Sequence, residues 1–135
     1  MNDLRIRLAG DSRTFRPGEE IAGTASWSLE KDPESVELRL FWRTEGKGTQ
    51  DTEVAEVVPF EQPLREDRRD FRVRAPASPY SFSGTLVSLV WALELVTDLV
   101  EAPGSLAARE DVTVSPTGRP IRLEAAPDGK GAPRY

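Results

Sequence analysis

The chain has 135 residues, 38% of them hydrophobic and 30% charged, with a formal net charge of −5. That length suffices for one domain that buries its apolar surface without staples, and the composition is not that of a disordered chain. With no Cys and no His it lacks thiol nucleophiles, thiolate metal sites, imidazole bases and the Ser-His-Asp triad, and its acidic balance disfavours tracking a nucleic-acid backbone.

Leu4, Ile6 and Leu8 alternate with Arg5 and Arg7, the pattern of a short strand with one buried face. Phe15-Arg16-Pro17-Gly18-Glu19-Glu20 follows. Pro17 sets φ for the second position of a tight turn, and Gly18 accepts the positive φ that a type II turn needs at the third. Ile21, Gly23, Ala25, Trp27 and Leu29 then line one face of a strand. Gly23 removes a side chain on that core face, which predicts a bulky neighbour close by, or a bulge.

Glu30 to Ser35 reads as a loop. Val36, Leu38, Leu40 and Trp42 alternate with charged residues, and Phe41 is the one aromatic on the polar side. The Glu45–Asp51 stretch reads as a hairpin loop. Thr52 to Phe60 is an expected edge strand, because Glu56 interrupts its apolar face and Pro59 cannot donate to a ladder. Strict alternation puts Val54, Val58 and Phe60 on one side and Ala55 and Val57 on the other, with Glu53 and Glu56 on opposite faces. The Arg65–Asp70 cluster carries both signs and reads as solvated. Phe71, Val73 and Ala75 form a short alternating run ending in a Pro-rich corner, Ala75 to Gly84.

Thr85 to Thr97 is the most hydrophobic stretch, free of Gly and Pro. Val87, Leu89, Trp91, Leu93 and Leu95 define a core face, opposite Leu86, Ser88, Val90, Ala92, Glu94 and Val96. Its β-branched residues and Trp favour a strand over a helix. The run carries Glu94 and is too short to cross a bilayer as a helix. Leu106 to Val114 reads as a last strand, and either that segment or the tail is expected to cover the outer face of the central one. Residues 1–115 then make a sandwich. Residues 116–135 make a Pro/Gly-rich segment holding at most a short strand at Pro120–Leu123 before a disordered tail from Pro127. The whole reads as an all-β, antiparallel two-sheet β-sandwich, immunoglobulin-like, of about seven strands.

Two stretches give a family resemblance. Phe15-Arg16-Pro17-Gly18-Glu19-Glu20-Ile21-Ala22-Gly23 resembles the aromatic-x-Pro-Gly-Glu signature of the arrestin superfamily. Phe71-Arg72-Val73 with Pro79-Tyr80-Ser81-Phe82-Ser83-Gly84 resembles its later corner, and Trp91 stands where the family carries a strand aromatic. The likeness covers about residues 4 to 114. It implies an arrestin-like N-terminal-type sandwich with adaptor or scaffold roles. Arrestins pair two sandwiches and this length accommodates one, so phosphate sensing between domains is not carried over.

Acid-base chemistry would require paired carboxylates in a cleft; of the pairs Glu53 with Glu56 and Glu94 with Asp98, only the second shares strand parity. No metal or cofactor site is expected, and no catalytic residue. Three indoles, Trp27, Trp42 and Trp91, fall on core faces, which weakens the alternative of a carbohydrate- or small-ligand-binding module. The expected function is protein binding at the edge strand through Val54, Ala55 and Val57. The partner is an unidentified protein or a second copy in a homodimer. No apolar run follows Met1, so the expected compartment is the cytoplasm, with no integral membrane segment.

Overall fold

The computed structural model describes residues 2–10, 12–46, 50–84, 87–99, 105–117 and 119–123. Those residues form ten strands and no helix: β1 (Asp3–Leu8), β2 (Thr14–Phe15), β3 (Glu20–Ser28), β4 (Pro33–Gly46), β5 (Thr52–Phe60), β6 (Glu66–Arg74), β7 (Phe82–Gly84), β8 (Val87–Leu99), β9 (Ser105–Val114) and β10 (Ile121–Leu123). Seven are longer than three residues, the expected seven. The other three are short clips. The tail from Pro127 lies outside the described residues, as do Leu86 and the centre of the Glu45–Asp51 loop.

The strands make two layers. The smaller sheet has the order β1-β3-β6, all antiparallel. The larger is built on β8, which pairs antiparallel with β4 from Pro33↔Leu99 to Gly46↔Val87. β5 flanks β4 on the outside. On the far side of β8, β7 and β9 lie end to end, at Phe82↔Leu89 and from Trp91↔Val112 to Asp98↔Ser105. β9 therefore extends the sheet sideways and does not cover the outer face of β8, contrary to the first of the two expected covers; the other, the tail, lies outside the described residues. The first treated an apolar strand as a lid, but Val112 and Val114 find their burial on the inner face.

The inner faces meet in one apolar cluster. Ile6, Ile21, Ala25, Trp27, Phe71 and Val73 come from the small sheet; Val36, Leu38, Leu40, Leu89, Trp91, Leu93 and Leu95 come from the large one. Trp27 and Phe60 join the layers with ring centroids 5.7 Å apart. Val87 alone departs from the β8 core face and is exposed, because it opens the strand beyond the other sheet's cover. The Trp27 indole N–H donates to the Leu64 carbonyl at 2.7 Å, so neither indole nor carbonyl is stranded.

Phe41, Ala92 and Val96 are buried on the outer face of the large sheet, apart from the main core. Phe41 pairs with Ala92 and with Val54 and is flanked on β4 by Arg39 and Arg43. Long arginine stems can shield apolar surface while their heads stay wet. Arg43 reaches Glu45 at 2.8 Å and Asp111 at 3.2 Å. Burial works against its charge, but the hydrogen bonds it donates to Asp111 and Glu45 outweigh that and raise its pKa above the usual arginine value.

Strand β6 begins at Glu66, so the mixed-charge cluster, read from the sequence as solvated, makes up about half of a strand. Asp67 and Arg69 sit on its inward register, opposite Trp27 and Ala25. They pair with each other at 2.9 Å. That bond from Arg69, opposed by desolvation and helped by the backbone N–H groups of Leu64 and Arg68, holds the Asp67 carboxyl below the ordinary range. A depressed carboxyl contributes stability above its unfolded pKa and loses it as pH falls through the folded value. Asp67→Asn should therefore lower the urea midpoint at neutral pH. The gap to wild type should close as the titration is carried below about pH 4.

Candidate functional site

The Pro17-Gly18 turn forms as expected. Gly18 has φ +82°, and the Glu19 N–H donates to the Arg16 carbonyl at 2.9 Å. The turn is stapled to the end of β6 by Gly18 N–H to Ala75 O (2.7 Å), Ala75 N–H to Glu19 O (2.8 Å) and Arg74 Nη1 to Gly18 O (2.7 Å). Gly23 is a close-approach glycine: a Cβ there would lie 2.4 Å from the Arg7 carbonyl oxygen and 2.8 Å from Phe71 Cζ.

The Pro79–Gly84 corner is a clasp. Trp91 Nε1 donates to the Pro79 carbonyl at 2.8 Å. Ser81 is buried. Its N–H donates to Val114 O (2.7 Å), its Oγ accepts from Val114 N–H (2.9 Å), and its carbonyl accepts from Ile121 N–H (3.0 Å). One serine thereby ties the corner to β9 and β10. Phe82 packs against the core, and Gly84 ends the β7 pairing segment, its N–H directed to Ser88 Oγ at 3.4 Å. The motif residues Pro17, Gly18, Gly23, Pro79, Ser81, Phe82, Gly84 and Trp91 thus serve the architecture.

The carboxylates are arranged otherwise than strand parity predicts. Between Leu40 and Phe41 the β4–β5 register shifts: Leu40 faces Glu56, but Phe41 faces Val54. Ala55 is the extra residue of a β-bulge, and everything before it changes side. Val54 joins Val57 on the outer face, and Glu53 joins Glu56 on the inner one, opposite Trp42 and Leu40. Both sequence assignments for these residues are corrected by that single bulge. Glu94 and Asp98 do share the outer face, but four strand residues separate them by roughly 13 Å. Retaining or inverting carboxylate pairs stand about 5–9.5 Å apart. Glu94 lies 3.9 Å from Arg39, and Asp98 accepts from Ser35 Oγ at 3.4 Å.

Strand β5 is an edge strand of the larger sheet. Among the described residues it pairs with β4 alone. Val54 and Val57 are 46% and 45% exposed, and Ala55 is exposed between them. Beside it runs a groove of about 480 Å³ lined by Ala55, Glu56, Pro17, Arg74, Pro76 and Ala77, among others. A second cleft, about 600 Å³, opens on the opposite flank between β1 and β9, with Arg5, Arg7, Arg68 and Arg109 in its wall. Its one acid, Glu110, is paired with Arg13. Trp27 and Trp91 are buried and Trp42 is half-buried against the core, so no indole platform faces solvent among the described residues. No group of three or more potential metal ligands occurs among them either. No helix there is long and apolar enough to cross a membrane.

No family model and no curated protein matches the sequence. Among solved structures the chain is similar to Spo0M, the sporulation control protein from Bacillus subtilis, with a TM-score of 0.62 and 18% identity. The match covers 84% of this chain and 49% of Spo0M, so the chain spans about half the length of that protein. Two packed sheets, the Pro-Gly turn, the Ser81 corner and this structural likeness together identify the fold as an arrestin-like β-sandwich.

Proposed function

We propose that the chain is a non-catalytic protein-interaction module of arrestin-like type, an adaptor or scaffold of the cytoplasm that engages its partner along β5. The observation that carries this reading is the unpaired edge of β5 with Val54 and Val57 exposed on one face. An open edge offers a row of backbone donors and acceptors, and alternate side chains supply selectivity. The filled interior and the separated carboxylates favour binding over turnover. A regulatory role by analogy with Spo0M, a sporulation control protein, is compatible but rests on fold likeness alone.

The test is affinity capture from the source organism with the intact protein and with Val57→Lys. Val57 is surface-exposed, so the substitution should change stability by less than about 0.5 kcal/mol. Partners held by the wild type should be lost or cut severalfold by the variant. Identical partner sets in both would remove the edge from the explanation.

A further inference from the structure

The bulge at Ala55 gives β5 two unlike faces. Glu53 and Glu56 share the inner one, and Val54 and Val57 share the outer one. Neither carboxylate has an ion pair among the described residues. From Asp51 to Glu61 the sequence reads Asp-Thr-Glu-Val-Ala-Glu-Val-Val-Pro-Phe-Glu, with four acids and no base. Two β5 edges placed antiparallel with Glu53 opposite Glu56, or with either glutamate opposite itself, would set acid against acid, which destabilises a cross-strand pair, and Pro59 takes one donor from the ladder. The edge is thus built to reject its own copy, a repulsive element of the kind that creates specificity.

We propose that β5 takes an extended, basic, amphipathic segment of another protein, with Lys or Arg on the Glu53–Glu56 side and apolar residues on the Val54–Val57 side. This rests on the edge-binding reading above and specifies the partner's chemistry. The adjoining groove fits it. Pro17, Ala75, Pro76 and Ala77 offer a small apolar wall beside Glu56, suited to the methylene stem of a lysine whose head reaches the carboxylate. Arg74 also lines the groove, but its guanidinium is tied to the Gly18 carbonyl.

The probe is a fluorescein-labelled peptide of roughly eight residues, the length of one strand, alternating Lys with Val. Its binding to the full chain is read by anisotropy at about 0.1 M salt. Two companions replace every Lys by Glu, or methylate alternate backbone nitrogens of the basic peptide. The basic peptide should bind, with the acidic one at least tenfold weaker, about 1.4 kcal/mol. The double variant Glu53→Lys/Glu56→Lys should weaken the basic peptide about tenfold and favour the acidic one. Glu34→Lys/Glu66→Lys, with the same change in net charge on other surfaces, should stay within about twofold. Equal binding of both peptides, an equal loss in the Glu34/Glu66 control, or no binding of the basic peptide at about 1 mM would overturn the basic-partner inference. So would a wild-type dimer in sedimentation that Val57→Lys dissolves. Undiminished binding of the methylated peptide would instead strike at strand-edge pairing itself, leaving the two ideas separable.

Discussion

Gly23→Ala should destabilise the protein by about 3 kcal/mol, more than overpacking usually costs when a side chain can yield. The added methyl meets the Arg7 carbonyl oxygen at 2.4 Å and the Phe71 ring at 2.8 Å. The ring can turn aside, but the carbonyl belongs to the β1–β3 ladder, in which Leu8 pairs with Gly23 itself. Relief therefore requires separating two paired strands. Urea unfolding of Gly23→Ala, Phe71→Leu and the double variant gives the test. Phe71→Leu should recover only part of the Gly23→Ala loss. Full recovery would mean that the ring alone sets the restriction, and an unchanged midpoint in Gly23→Ala would contradict the packing of β1 on β3.

Trp91→Ala should cost about 4 kcal/mol, the range for emptying a large aromatic site that cannot collapse. Trp91 is 0% exposed at the centre of β8, and its indole N–H is spent on the Pro79 carbonyl. Trp91→Phe keeps most of the volume but withdraws the donor, so it should cost roughly 2 kcal/mol. The two variants separate filling from fastening. A phenylalanine variant as stable as wild type would show that the corner does not need the indole bond. An alanine variant within about 1 kcal/mol of wild type would show that the core is not organised around β8.

The parts of the fold legible in the sequence were those where one residue decides the local geometry or where alternation runs unbroken. Pro17-Gly18 specifies its turn through two backbone angles. Gly23 stands out because glycine in an otherwise apolar face needs a reason, and the Arg7 carbonyl together with the Phe71 ring supplies it. Leu89 to Leu95 alternate cleanly because β8 is paired along both flanks. The β5 faces were not legible. One extra residue inverts all side chains beyond it, and Ala55 has no chemistry that announces a bulge. The charged half of β6 reads as solvent-facing because Arg69 and Asp67 are polar, yet they neutralise each other on the inward register. Strands of two or three residues, such as β2 and β7, carry no period to detect. The edge position of β5 was legible for another reason: Pro59 and Glu56 are residues that a paired central strand excludes.

The long pairing of β4 with β8 has a kinetic consequence. Its partners, from Pro33 with Leu99 to Gly46 with Val87, are separated in the chain by the whole of β5, β6 and the corner. The molecule must lose the entropy of closing those large loops before its most apolar ladder returns any free energy. Such non-local wiring sets a folding time in milliseconds to seconds, against microseconds for helical bundles of comparable size.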